Sequence, residues 1–203
     1  MEIRMFKFLI LPIFAYLIGS IPWGLVLTRI FTSADILQQG SKNVGATNVR
    51  RIAGPTLGML TLILDVLKGA FPVWLAITIA APNEIWGEFY ISLVGIAAFL
   101  GHLFPVYMKF KNGGKGIATA GGCFTVISPP AAGVTILVFI MIACWSDRIS
   151  PASLAASATL PVVIWKATDS GIFTGYAVVS AIFICVRHAD NIKRLLGGSE
   201  PTI

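Results

Sequence analysis

Residues 8–28, FLILPIFAYLIGSIPWGLVLT, contain no charged side chain, and comparable runs recur along the chain. A hydrocarbon core of about 30 Å takes about 20 apolar residues to cross as a helix, so runs of this length confine the chain largely to lipid. Composition agrees: 56% of the 203 residues are hydrophobic and 12% charged, with a mean hydropathy of +0.85. A soluble domain of this size needs more charge than that to stay in water.

The runs fall at about residues 5–30, 56–81, 89–108, 117–128, 131–145, 154–165 and 172–186. The first begins on a basic segment, but it is too long for a secretory signal and no small-x-small cleavage site follows. The turn Pro82-Asn83-Glu84 separates the second and third runs, Pro129-Pro130 the fourth and fifth, and 166–171 the last two. The expectation is an all-α polytopic membrane protein of about seven helices, one domain over residues 1–203. Lys and Arg collect in cytoplasmic loops. With seven crossings one face receives Arg29, Lys42, Arg50, Arg51, Lys109, Lys111, Lys115, Arg148, Arg187, Lys193 and Arg194, and the other Arg4, Lys7 and Lys166. That imbalance places the amino terminus outside and the carboxyl terminus in the cytoplasm, although Arg4 and Lys7 alone argue the reverse.

Cys123, Cys144 and Cys185 lie in or beside apolar runs without CxxC or metal spacing, which favours packing over a disulfide or metal site. GPTLG and GIFTG fit the GxxxG pattern of close helix packing. Asp65 and Lys68, three apart within an apolar run, read as an ion pair orienting that helix, with direct substrate contact as the other reading.

Three polar stretches share the basic face. KFKNGGKG, residues 109–116, joins three lysines to a glycine pair: glycine amides can point at an anion and the following helix start adds its positive dipole end. It is not a P-loop, since Lys109 and Gly116 stand where Gly and Ser or Thr are required. A basic turn attracted to anionic headgroups is the plainer reading. GSKNVGATNVRRIAG, residues 40–54, combines Ser41, Asn43, Thr47 and Asn48 with Lys42, Arg50 and Arg51, which suits a charged ligand or a solvated, capped loop. RHADNIKRL places His188 and Asn191 three apart at the end of the last run, where one helical face could present both.

In order and spacing, GSKNVGATNVRR, GHLFPVYMKFKNGGKGIAT and RHADNIKRL resemble the three motifs of the bacterial acyl-phosphate:glycerol-3-phosphate acyltransferases. DVLKG and ISPASL resemble further family segments, so the likeness spans nearly the whole chain. The resemblance implies a seven-helix enzyme of the cell (inner) membrane with its site on the cytoplasmic face. It would move a fatty acyl group from acyl phosphate to the 1-hydroxyl of glycerol 3-phosphate, giving lysophosphatidic acid and phosphate in phospholipid synthesis. The family's catalytic positions fall on Ser41, Arg51, Lys115 and His188. Its substrate- and phosphate-binding positions fall on Asn43, Thr47, Asn48, Gly113, Gly114, Ser150 and Asn191. Three residues depart from the family pattern: Lys42 stands where Gly is usual, Asn112 looks inserted before the glycine pair, and Pro151 replaces an apolar residue.

The chemistry fits such residues. Two phosphorylated substrates require several cations on one surface, and an acyl phosphate is already activated. Lys115 and loop amides can then stabilise charge developing on the carbonyl oxygen and the leaving phosphate, at about 3–4 kcal/mol per good donor. No metal or cofactor is implied, and no nucleic-acid or obligatory protein partner. The HxxxxD pair of thioester-dependent enzymes is missing, since Lys193 lies five after His188 and Tyr107 five after His102. The proton acceptor is either His188 or a substrate phosphate oxygen, while His102 reads as a structural hydrogen bonder. The alternative classes are a small membrane transporter of phosphate or a phosphorylated metabolite, and a lipid-binding subunit. Transport sites lie near the midplane, whereas these polar groups gather at one surface.

Overall fold

The computed structural model describes residues 2–203 and the side chains from Leu9 onward, so the side chains of Arg4 and Lys7 lie outside the described residues. The described residues form helices and no strand. They divide into two compact units, Met1–Cys123 and Phe124–Ile203.

In the first unit, α1 (Glu2–Gly19) and α2 (Trp23–Phe31) come from a run that the sequence suggests is one helix. The two are bent by 44°. Pro22 lies in the break: it lacks an N–H and disfavours helical backbone at Ile21. The stretch 40–54 is likewise not all loop, because it folds into α3 (Ala46–Ala53). Val49 of α3 is buried with Leu25, Ile36 and Val44, and Ile52 and Ala53 pack on the same cluster. The spacing 49, 52, 53 gives α3 one apolar stripe, which leaves Arg50 and Arg51 exposed.

Helices α4 (Pro55–Ile79) and α5 (Ile85–Leu103) are the long members of this unit, and a 3-10 turn, Val106–Met108, follows α5. Glycines let these helices close on one another. A Cβ at Gly19 would strike the backbone of Ala98, one at Gly58 the backbone of Arg50, and one at Gly101 the carbonyl of Tyr16. In GPTLG only Gly58 makes such an approach, and both glycines of GIFTG face open space, so the second GxxxG match is not a packing motif.

Helix α6 (Ile117–Ile127) carries the chain into the second unit, followed by α7 (Pro129–Ser146), α8 (Ile149–Thr168), α9 (Gly171–Arg187) and α10 (Ala189–Leu196). Helix α8 packs against α7 and α9, and its buried face is built from Ser153, Ala156, Ser157 and Leu160. Small residues suit helix contacts in lipid, where apolar side chains gain nothing by leaving the bilayer. Large apolar groups point outward instead, with Met141 68% and Trp145 84% exposed on α7. That inside-out pattern is a membrane protein's.

Among the described residues, three helical segments are long and apolar enough to cross a membrane, Pro55–Ile79, Ile85–Met108 and Pro129–Ser146, and the number rises to five if each bent pair is one span. The second such pair is α9 with α10, bent by 58°. Among the described residues no disulfide joins the cysteines: Cys123 is buried, whereas Cys144 and Cys185 are exposed rather than packed inside.

Candidate active site

The loop before α3 is organised by one side chain. Asn48, 2% exposed, accepts from the Ser41 N–H at 2.9 Å through Oδ1. Its Nδ2 donates to the carbonyls of Asn43 at 2.9 Å and Ile36 at 3.1 Å, with Gln39 at 3.3 Å. Asn43 in turn accepts from the Gly45 N–H at 2.8 Å, an Asx turn leading into α3. Ser41, Asn43 and Asn48 are therefore brought together, with both amide hydrogens of Asn48 engaged by backbone. Thr47 is half-buried in the first turn of α3, and Arg51 stands exposed in its last turn. Lys42 has φ +54°, a left-handed conformation in which Gly is unstrained, so the departure from the family pattern falls on a strained position.

The 109–116 stretch follows a similar logic. Lys109, Phe110 and Asn112 all have positive φ, and Asn tolerates that region better than most residues. The Gly114 N–H donates to the His102 carbonyl at 3.1 Å. A Cβ at Gly113 would meet the Leu103 carbonyl, and one at Gly114 the His102 ring. The glycine pair thus lets this loop lie against the end of α5, and the amide of Gly114 is engaged there rather than held out for an anion. Gly116, at φ +90°, rests against the Phe99 ring and leads directly into α6. Half-buried Lys115 is therefore anchored two residues ahead of a helix N-terminus, where the backbone dipole also favours an anion.

Beneath these loops, Lys68 and Asp65 close the ion pair that their spacing suggests, with Nζ 2.8 Å from Oδ1. Lys68 Nζ also donates at 2.9 Å to the carbonyl of Ile21, in the α1–α2 break, and His102 Nδ1 lies 3.7 Å from the same Asp65 oxygen. One buried lysine thereby pairs a carboxylate and adds a second donor to a carbonyl in the break that also accepts from the Trp23 N–H at 3.1 Å.

In the second unit, Ser150 in the first turn of α8 and Asn191 in the first turn of α10 meet: Asn191 Nδ2 donates to Ser150 Oγ at 2.7 Å. Both are held by a residue that sequence reasoning missed. Glu200 Oε1 accepts from Ser150 Oγ and from Asn191 Nδ2 at 2.6 Å, while its Oε2 accepts from Arg194 Nε at 2.8 Å. Arg148 Nε donates to the Glu200 carbonyl at 3.1 Å, and the Ile203 N–H to the Asp147 carbonyl at 3.0 Å. Burial pushes the Glu200 carboxyl up. The bonds from Ser150, Asn191 and Arg194 and the Arg194 charge outweigh it, so the group lies below the ordinary glutamate range. A depressed carboxylate stabilises the fold above its unfolded pKa, and that contribution is lost as pH falls through the folded value. The only hint in the sequence was one carboxylate six residues after Arg194, in a tail that otherwise reads as solvated.

His188 is buried at the junction of α9 and α10 and caps the latter. Its Nδ1 lies 2.8 Å from the Ile184 carbonyl. Since a carbonyl only accepts, Nδ1 carries a hydrogen and donates it there. Among the described residues no cluster of three metal-ligating side chains occurs.

Helices that turn large apolar side chains outward and bury small and polar ones, with cations in the loops at their ends, are those of an integral membrane protein. The family model for glycerol-3-phosphate acyltransferases matches residues 9–198. A glycerol-3-phosphate acyltransferase of Syntrophotalea carbinolica is 45% identical over 197 residues, 97% of each chain, and one of Geobacter sulfurreducens 40% identical over 192 residues, 95% of each. Among solved structures, PlsY, an integral membrane glycerol 3-phosphate acyltransferase in its glycerol 3-phosphate form, superposes with a TM-score of 0.91 at 38% identity, over 97% of this chain and 96% of that one. The chain belongs to the glycerol-3-phosphate acyltransferase family.

Proposed function

We propose that this protein transfers a fatty acyl group from acyl phosphate to the 1-hydroxyl of glycerol 3-phosphate, releasing lysophosphatidic acid and phosphate, and that residues 1–203 act as one acyltransferase domain. The observation that carries this is the likeness over 97% of the chain to a protein solved in both a glycerol 3-phosphate form and a lysophosphatidic acid form. Those two molecules differ by one acyl group on one hydroxyl. The donor follows from the residues: without an HxxxxD pair or a nucleophilic cysteine in a polar loop, a donor that brings its own good leaving group suits the chain.

In this reading Lys115, with the dipole of α6 behind it, stabilises charge on the reacting acyl phosphate, an electrostatic effect that works by being stronger in the transition state than in the ground state. Arg51 holds phosphate oxygens in a bidentate fork. Ser41, Asn43, Thr47 and Asn48 shape the loop that presents it, and Gly113 and Gly114 set the approach of the Lys115 loop. His188, Ser150 and Asn191 contact the glycerol portion. The acyl chain stays in lipid or between helices while its carbonyl sits at the interface.

The proposal includes the seven crossings, an outside amino terminus, a cytoplasmic active face and an inner-membrane location, supported by the eleven basic residues assigned to one side. Helix α6, with 11 residues, rises only about 16 Å and is the thin member of that count. Its Thr119, Ala120, Cys123 and Phe124 are buried, as a short segment surrounded by protein requires.

The test uses purified protein in detergent with palmitoyl phosphate and glycerol 3-phosphate. Stoichiometric lysophosphatidic acid and phosphate are expected. Turnover only with an acyl thioester would overturn the donor, and no turnover with either, together with phosphate uptake in vesicles, would make the protein a transporter.

A further inference from the structure

His102 is a buried titratable side chain to which the acyltransferase reading gives no task. It lies in the last turn of α5 at 5% exposure, and both its main chain and its ring touch the Lys115 loop. Its carbonyl accepts from the Gly114 N–H at 3.1 Å, and its ring fills the space that a Cβ on Gly114 would take, with Nε2 foremost. The other edge of the ring faces α4: Nδ1 lies 3.7 Å from Asp65 Oδ1, within ion-pair reach though longer than a hydrogen bond. Asp65 is itself held by Lys68 at 2.8 Å. One residue further along α4, Gly69 admits the Thr119 carbonyl of α6 into the place of its missing Cβ. Helix α4 therefore braces the chain on both sides of Lys115, through His102 at Gly114 and through Gly69 at Thr119, all within the first unit.

Resting on the acyltransferase reading, we propose that His102, oriented by Asp65, is a positioning residue for Lys115. Its ring sets how far the glycine pair sinks toward α5, and hence where the ammonium stands against the reacting acyl phosphate. An imidazole is a rigid plate with a nitrogen on each edge. A carboxylate on the Nδ1 side favours a donor there and so one of the two ring orientations, which leaves the Nε2 edge as the floor beneath Gly114. Position 114 must then be glycine, because any side chain would collide with that floor. A small displacement has a large effect on rate, since moving a charge-stabilising group by about 1 Å can cost about 100-fold. In this role His102 exchanges no proton with substrate and acts only through Lys115.

The test is a double-mutant cycle read as kcat/KM for glycerol 3-phosphate, with palmitoyl phosphate as donor and purified protein in detergent. His102→Ala should lower kcat/KM at least about tenfold in the parent, yet less than about threefold in a Lys115→Ala background, because a residue that acts through the ammonium then has nothing left to place. Gly114→Ala drives a methyl into the ring and should cost about 100-fold. Adding His102→Ala opens the space, so the double variant should be at least about threefold more active than Gly114→Ala alone. A contact that only stabilises the fold gives losses that multiply instead. A smaller loss in the parent, a loss of threefold or more beside Lys115→Ala, or no relief of Gly114→Ala would each overturn the proposal. If His102→Ala shows no cooperative unfolding transition, His102→Leu, which keeps core volume but stops short of Gly114, enters the cycle with Lys115→Ala under the same thresholds. A parent that does not acylate glycerol 3-phosphate sinks the functional assignment, whereas an active parent with multiplying losses sinks the positioning role alone.

Discussion

Lys68→Met is the perturbation that most directly tests how the first unit is held together. The ammonium lies 2.8 Å from Asp65 and 2.9 Å from the Ile21 carbonyl, and Asp65 and Lys68 are 3% and 4% exposed. Removing one partner of a buried pair costs about 3–5 kcal/mol; the Ile21 carbonyl keeps the Trp23 N–H at 3.1 Å, so the lost hydrogen bond adds only about 0.5–1.5 kcal/mol, for a sum of about 3.5–6.5 kcal/mol. The double change Asp65→Leu/Lys68→Met removes both charges and loses only the second hydrogen bond to a carbonyl still served by Trp23, so it should cost about 0.5–1.5 kcal/mol. Reversible unfolding in mixed micelles titrated with SDS measures both free energies. The reasoning fails if the single variant loses less than about 1 kcal/mol, or if the double is as unstable as the single. The consequence reaches the site, because the break fixes where α2 begins, and Leu25 of α2 shares its cluster with Val49 of α3.

Lys115→Ala should leave a folded protein with turnover down about 100-fold or more, and Lys115→Arg should rescue poorly because a planar fork does not replace a compact ammonium. Lys109→Ala, on the same loop, should cost little, and equal losses at both positions would reduce the stretch to a basic surface turn. Lys42→Gly relieves a left-handed conformation costing about 1–2 kcal/mol against about 0.5–1 kcal/mol of added chain entropy, so the unfolding midpoint should hold or rise. A clear fall would mean that the Lys42 side chain stabilises the loop. Single cysteines at positions 42, 115 and 193, in a background with Cys144 and Cys185 replaced, should label from one side of the membrane and a cysteine at 166 from the other. Labelling of position 115 from outside only would invert the topology.

Much of the fold is legible because lipid imposes a blunt pattern. The run at 56–81 becomes α4 (Pro55–Ile79), that at 131–145 becomes α7 (Pro129–Ser146), and that at 172–186 becomes α9 (Gly171–Arg187). Hydropathy fails where a local event interrupts a uniform run. The α1–α2 break is invisible to it, because Pro22 alone does not say whether a helix kinks or ends, and the decisive contact, Lys68 on Ile21, is 47 positions away. Helix α3 is hidden for the opposite reason. Its eight residues are too polar to register as apolar, yet Val49, Ile52 and Ala53 suffice to seat it.

Residue type is a weaker guide to role than to location, because a chain this apolar uses each polar side chain either to satisfy its own backbone or to meet a ligand. Asn48 and Ser150 look alike in the sequence, each a small polar residue in a family segment. Asn48 has both amide hydrogens bound to loop carbonyls, so its contribution is the shape of the loop around Ser41. Ser150 donates to Glu200 and accepts from Asn191, so its orientation is set by side chains from the far end of the chain. That difference comes from Glu200, 50 residues away in the chain. Glu200 shares its oxygens among Ser150, Asn191 and Arg194, so it holds the starts of α8 and α10 together through a contact that no spacing in the sequence announces.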